Sequence, residues 1–444
     1  MPEVASPPDE GPVRRELLPV TAAVGPRGRL EIGGVDVVDL AERCGTPLFV
    51  YDEAHLRGQC QEAVQAWGDG VAYASKAFLC RAMAQLVHEE GMWVDVSTGG
   101  ELHVVLAAGV PSDRIVFHGN NKSDAELVRA VESGVGRIVV DSFDEIDRLA
   151  RLTARPGPSA EATASSGTRR PAVLVRVTPG VEAHTHEFVR TGQEDSKFGF
   201  GLSSGAAAEA VVRLRALPGV DLVGVHAHIG SQVFRVESFA EEVEVIASFF
   251  SPLGLPELCI GGGLGVPYVA GEMAPTIGEW AATVRETCDR MGIPGSTRIT
   301  AEPGRSVVAT AGVTLYRIGT IKEIPGVRTY VAVDGGMSDN PRPVLYGSGY
   351  ETFLPRAPDA PRPRAVRVVG KHCESGDVVV ADGRLPADVG VGDVVATPVT
   401  GAYGYSMASN YNKVPRPAVV FVRDGRFREV VRRETDDDLV RLDS

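Results

Sequence analysis

A few short stretches of this chain carry side chains suited to covalent and proton chemistry. Lys76 closes the apolar run VAYASKA. A lysine at the end of a buried strand loses part of its hydration, which favours the neutral amine and suits it to a Schiff base. A salt bridge at the strand end is the alternative. GGGLG at 261–265 also follows an apolar run. Glycines Gly261, Gly262 and Gly263 could let backbone N–H groups approach a phosphate, or could simply make a tight turn. No GK[ST] follows, and Val266 stands where a dinucleotide fingerprint needs its last glycine. Glu302 and Arg305 lie in AEPGR. The first could hold a protonated ring nitrogen, and the second offers a planar fork for phosphate or carboxylate. An ion pair with each other is the other option. Cys373, in KHCESGD, has His372, Glu374, Ser375 and Asp377 around it. That is an odd setting for a core cysteine and suits a proton-donating thiol. The HTH at His184–His186 has no carboxylate-and-histidine set at ligand spacing, so no metal is expected.

These residues need elements to aim them. Apolar, β-branched runs begin at Leu48, Val71, Trp93, Ile115 and Arg137, in steps of 23, 22, 22 and 22 residues. Helix-like segments such as CRAMAQLVHEEG fill the gaps. That is the spacing of a βαβ unit. Four more runs start at Val173, Leu222, Leu258 and Ile299. About eight such units predict an α/β fold, a TIM-like (β/α)8 barrel over residues 46–313. In a barrel the chemistry sits at the C-terminal strand ends. Lys76, His118, Asn120, His226, His228, Ser231, the three glycines, Glu302 and Arg305 all fall there.

After about Val313 the segments alternate without long helices, as in LYRIGTIKEI and TYVAVDGG. They predict antiparallel strands and an all-β, sandwich- or barrel-like C-terminal domain. Residues 17–45 would join it, so that 17–45 and 314–444 make one β domain. Residues 1–16 are expected to be a disordered tail. TARPGPSAEATASSGTRRP at 153–171 reads as a flexible loop inserted in the barrel.

Composition excludes several classes. The 444 residues are 43% hydrophobic and 23% charged, ordinary for a globular protein. A net charge of −13 argues against nucleic acid or an anionic membrane as partner. The six cysteines show no C-x-x-C spacing and are no disulfide framework. No run approaches membrane-spanning length and the N-terminus has no signal-like apolar core, so a cytoplasmic location is expected.

YASKA, HGNNKS, DSFDEI, HTHEF, SKFG, HAHIGSQ, GGGLG, AEPGR, GGMSDNPRPVLYG, GKHCESGD and GAYGYSMASNYN occur in this order. Together they strongly resemble the diaminopimelate decarboxylases, the actinobacterial form most closely, from about Gly33 to Leu442. The resemblance implies pyridoxal 5'-phosphate as cofactor, and a homodimer with shared active sites. The reaction implied is decarboxylation of meso-2,6-diaminopimelate at its D-centre to L-lysine and CO2, the last step of lysine biosynthesis. Lys76 would form the Schiff base and His228 would stack on the ring. Ser231, Gly261, Gly262, Gly263 and the Arg305 turn would hold the phosphate, with Tyr403 at the phosphate end. Glu302 would pair with the ring nitrogen. Arg305, Arg342 and Tyr346, with Tyr403, would bind substrate, chiefly its distal carboxylate, and Glu374 its distal ammonium. Cys373 would be the general acid, delivered across the dimer interface. Pro341 fixes φ and removes a donor beside Arg342, which bears on how that arginine is aimed. The alternative is a sister decarboxylase for another basic amino acid: D-ornithine, D-lysine, arginine or carboxynorspermidine. These lack the distal carboxylate and would not need Arg342 and Glu374 together.

Overall fold

The computed structural model describes residues 11–154, 170–180 and 196–444. Most of the 153–171 stretch and the HTHEF motif lie outside them. The chain forms two compact units. One comprises Cys60–Gly265 and Pro275–Gly304; the other comprises Met1–Gln59, Val266–Ala274 and Arg305–Ser444.

The first unit is a parallel barrel. Its eight strands are Ala72–Ala74, Trp93–Val96, Ile115–Phe117, Arg137–Val140, Ala172–Thr178, Asp221–His226, Glu257–Cys259 and Arg298–Thr300. Each pairs in parallel with the next. The barrel is closed by the Ala72 and Ala74 N–H groups, which donate to Ala301 and Pro303 carbonyls at 3.0 Å. Several strands are buried along their whole length, because helices cover the outside and side chains fill the inside. Ala72, Trp93, Val116, Val139, Leu174 and Cys259 form one packed cluster drawn from six of the strands.

The second unit is built on a strand of 13 residues, Gly312–Ile324. Its first half pairs with Leu48–Asp52 and Val394–Pro398, its second half with Arg328–Val333. Two expectations are corrected here. The run LFVYD, counted above with the barrel runs, lies in this sheet between Gly312–Ile324 and Ala418–Arg423. The helix Glu53–Trp67 follows it, so its spacing mimics a βα unit. Periodicity records what comes next in the chain, not which sheet a strand joins. The sheet is also not wholly antiparallel. Leu48–Asp52 runs parallel to Ala418–Arg423, and Arg328–Val333 runs parallel to Arg364–Val369. Both connections are long enough for the crossover that a parallel pair needs. Residues 11–16 are ordered rather than part of a tail. Val13 is buried, and the Gly11 carbonyl accepts a hydrogen bond from Arg362 Nε at 2.8 Å.

One buried group works against stability. Glu242, on the helix Val236–Phe250, is fully buried, and neither carboxyl oxygen has a hydrogen-bond partner among the described residues. Burial holds this carboxyl well above the usual carboxylate range. The folded state keeps the proton while the unfolded chain releases it. Stability therefore falls as pH rises above the ordinary glutamate range. Glu242→Gln is expected to melt a few degrees higher than the parent at pH 8. The gap should close toward pH 5, as read by thermal unfolding at the two pH values.

Candidate active site

The C-terminal ends of the barrel strands gather one polar cluster. Lys76 lies in a short turn, Ser75–Ala77, directly after the first strand. The Tyr73 hydroxyl secures that turn by donating to the Phe78 carbonyl at 2.7 Å. The lysine side chain is 47% exposed, with Nζ 3.9 Å from Asp95 Oδ2. The carboxylate gives it an ion-pair partner and leaves the amine within reach of a ligand.

His118 follows the third strand, and its backbone is fixed by an N–H bond to the Val96 carbonyl at 2.8 Å. The motif after it sets the turn. Lys122 is fully buried and donates to the Gly119 and Val139 carbonyls and to Glu145, at 2.8, 2.6 and 2.7 Å. Ser123 caps the next helix in a reciprocal box with Glu126.

Glu302, just after the eighth strand, is the hub. His118 Nε2 lies 2.8 Å from Oε1 and His226 Nε2 lies 2.9 Å from Oε2. Asp95 Oδ1 is 3.7 Å from His118 Nε2. Burial would raise the Glu302 carboxyl, but the two histidines outweigh it and hold it well below the usual range. Burial also opposes charge on His118, yet Asp95 and Glu302 prevail and raise its pKa. His226 is pushed down to about 4, chiefly by burial. His118 therefore favours the charged form, and His226 is neutral, donating from Nε2 to the carboxylate.

His228 and the glycines lie beside this hub. The Gly262 N–H donates to His228 Nδ1 at 3.1 Å. Burial and the nearby Lys76 charge lower the His228 pKa well below its ordinary value, so the ring is neutral. A Cβ on Gly261, Gly262 or Gly263 would stand 2.5, 2.3 or 2.4 Å from the carbonyl oxygens of Ala227, Glu302 and Gly230. Only glycine fits at these three places without a shift of the facing backbone. Bare backbone beside a neutral ring, a nearby lysine and a buried carboxylate is a donor set that fits a phosphorylated heteroaromatic group.

The other unit holds a second cluster. Arg342 is 6% exposed and opens the short helix Arg342–Tyr346. Pro341 stands just before that helix, where its missing N–H costs nothing. Arg342 donates to the Tyr350 and Ser348 hydroxyls, each at 3.0 Å. Its guanidinium carbon lies 5.1, 5.5 and 5.8 Å from the ring centres of Tyr268, Tyr346 and Tyr403. Among the described residues no carboxylate reaches it. Arg305 joins the same group, donating to the Tyr268 hydroxyl at 2.5 Å and lying 4.7 Å from the Tyr403 ring centre. Tyr403 is held at φ +60°, a conformation that non-glycine residues seldom adopt.

The loop with Cys373 and Glu374 has a fixed backbone and exposed side chains. The Asp377 carboxylate accepts from the His372 and Met337 N–H groups at 2.8 and 2.6 Å. His372 Nε2 meets the Ser338 hydroxyl at 2.9 Å, and the Cys373 N–H donates to Asn412 Oδ1 at 3.0 Å.

Lys76, His228, Gly261, Gly262, Gly263 and Glu302 fall within the barrel-mouth unit, and Ser231 lies in the same unit. Arg305, Arg342, Tyr346 and Tyr403 share the arginine–tyrosine cluster. Sequence reasoning missed Asp95, Tyr268 and Tyr350. Asp95 left a trace, as the lone charge in the buried strand WVDV. The tyrosines left none, since an aromatic residue in a loop reads as ordinary packing.

A family model described as the pyridoxal binding domain of pyridoxal-dependent decarboxylases matches residues 53–309. The diaminopimelate decarboxylase of Halalkalibacterium halodurans is 48% identical, with 95% of this chain and 97% of that protein covered. The Mycobacterium tuberculosis diaminopimelate decarboxylase is 45% identical, covering 96% and 99%. A crystal structure of diaminopimelate decarboxylase from M. jannaschii with L-lysine has a TM-score of 0.86 at 32% identity, covering 96% of this chain and 98% of that one.

Gly262→Ala should retain the fold yet weaken pyridoxal phosphate binding by at least about tenfold, because its methyl group would displace the Glu302 backbone. A fluorescence titration of the cofactor-free protein, with circular dichroism alongside, measures both.

Proposed function

The chain belongs to the diaminopimelate decarboxylases, a family of pyridoxal-dependent decarboxylases, and we propose that it converts meso-2,6-diaminopimelate to L-lysine and CO2 at the D-centre. The observation that carries the substrate assignment is Arg342: a buried guanidinium satisfied by hydroxyls and ring faces, with no carboxylate beside it among the described residues. A buried cation of this kind is suited to an anionic group on the ligand.

Bound pyridoxal phosphate would supply a conjugated ring able to hold the electron pair left by CO2. Lys76 holds the cofactor covalently through its amine. Glu302 would keep a proton at the ring nitrogen, and His228 would pack against the ring. Ser231 and the backbone of Gly261, Gly262 and Gly263 bind the phosphate, aided by the Arg305 turn and Tyr403. Arg305, Arg342 and Tyr346, with Tyr403, fix the distal carboxylate, and Glu374 takes the distal ammonium. Holding the far end in this way presents one stereocentre to the ring. Cys373 returns a proton to the α-carbon. We assign Cys373 and Glu374 to the site of a partner subunit in a two-fold homodimer; their exposure on a braced loop supports this. We also place the enzyme in the cytoplasm. No helix of the described residues is long and apolar enough to cross a membrane.

The test is CO2 release by the cofactor-loaded protein offered meso-diaminopimelate, D-ornithine, D-lysine, arginine or carboxynorspermidine. Turnover confined to meso-diaminopimelate, with L-lysine as product, is expected. Turnover only of a substrate without the distal carboxylate would overturn the assignment. Arg342→Met should raise KM for meso-diaminopimelate by at least about tenfold, the loss of a charged hydrogen-bond pair. Cys373→Ala should lower kcat by about 100-fold or more with little change in KM. Mixing inactive Lys76→Ala and Cys373→Ala chains should restore about a quarter of wild-type activity, because half the dimers then carry one intact site of two. No recovery on mixing would place Cys373 in its own subunit's site.

A further inference from the structure

The decarboxylase reading assigns Glu302 to the ring nitrogen of the cofactor but gives no task to the two histidines bound to it. We propose that His118 and His226 are positioning residues that keep Glu302 an aimed carboxylate, with Asp95 offsetting the charge of His118. This inference rests on that reading.

The geometry is specific. His118 enters from the third strand end and His226 from the sixth, and each takes a different oxygen of Glu302, at 2.8 and 2.9 Å. Their rings meet edge-on with centres 4.8 Å apart, so neither turns without displacing the other. Three residues from three strands thus fix a carboxylate in two directions. A bare buried carboxylate would instead bind a proton. A protonated Glu302 would donate its hydrogen bond to the ring nitrogen and leave it uncharged.

The two histidines divide the work. His118 faces Asp95 at 3.7 Å as well as Glu302. Two acids around one imidazole favour the imidazolium, and its charge beside Glu302 favours the ionised carboxylate. His226 has no second acid. Its Nδ1 has no hydrogen-bond partner among the described residues, which fits a neutral ring with its proton on Nε2. Lys76 and Arg176 supply the remaining nearby positive charge. His118 thus acts through charge and His226 through a hydrogen bond.

That division sets the test. The readout is the 15N shift of the ring nitrogen in protein loaded with ring-labelled pyridoxal phosphate, which reports protonation independently of turnover. In wild type the signal should sit at the protonated position. His118→Gln keeps a donor but removes the charge. It raises the proton affinity of Glu302, its direct partner at 2.8 Å, so the shared proton should pass to the carboxyl and the signal should move toward the unprotonated position. His226→Asn or His226→Gln should move it little if the donor is kept, and His226→Ala should move it in the same direction as His118→Gln. Cofactor affinity should weaken by no more than about tenfold in these variants, since none holds the phosphate. Glu302→Gln separates the two layers. If its signal matches wild type, the Glu302 assignment itself fails. If Glu302→Gln shifts the signal while His118→Gln and His226→Ala leave it at the wild-type position, only the present inference fails. Should a histidine variant not fold, the wild-type signal across pH 6–9 still decides. A ring nitrogen that loses its proton in that range overturns the proposal.

Discussion

The barrel mouth is organised by the need to bury a carboxylate without neutralising it. Removing Glu302 from water favours its protonated form, and that penalty has to be offset by donors in fixed places. No single element can supply them. His118 comes from the third strand end, His226 from the sixth, and Glu302 from the eighth. A closed parallel barrel brings non-neighbouring strand ends to one rim, which makes the arrangement available. The supporting parts follow from this. The fully buried Lys122–Glu145 pair and the Ser123 cap fix the turn after His118, and the glycines at 261–263 let the seventh strand end come close to the backbone that follows the sixth and the eighth strands.

The second unit meets the opposite demand, a buried cation. Arg342 is surrounded by tyrosine rings and hydroxyls rather than acids. Ring faces and neutral oxygens temper the cost of burying a guanidinium without cancelling its charge. A carboxylate in the same place would cancel it and leave nothing for a ligand. Tyr403 contributes from a backbone conformation at φ +60°, strain of the kind found where a side chain's aim matters more than backbone comfort.

Much of this was legible in the sequence, for identifiable reasons. The eight barrel strands appeared as apolar runs because buried parallel strands leave no polar face. Lys76, the glycines and Glu302 were visible because strand-end polar residues stand out against such runs. LFVYD was misplaced because the helix after it reproduces a βα period, while its pairing with Ala418–Arg423 spans most of the chain. Non-local pairing leaves no local signature. The order of residues 11–16 was missed for the same reason, since Arg362 holds the Gly11 carbonyl from 351 positions away. Tyr268 and Tyr350 were invisible as partners of Arg342, because a hydroxyl's partner is decided by the fold.

The protonation states also divide between the two units. In the barrel mouth Glu302 is held well below the carboxylate range and His226 at about 4. Neither changes charge near neutrality, whereas His118 is raised above the ordinary imidazole range by Asp95 and Glu302. Below the Cys373 loop the situation differs. Asp339 is buried and pushed up to about 7, although Gly336 N–H, Tyr316 and Ser338 oppose the shift. Ser338 also meets His372, whose N–H is held by Asp377, the carboxylate that braces the loop. The framework under the thiol therefore contains a buried carboxyl that titrates near neutrality. A change in the charge of Asp339 reaches that loop through Ser338 and His372.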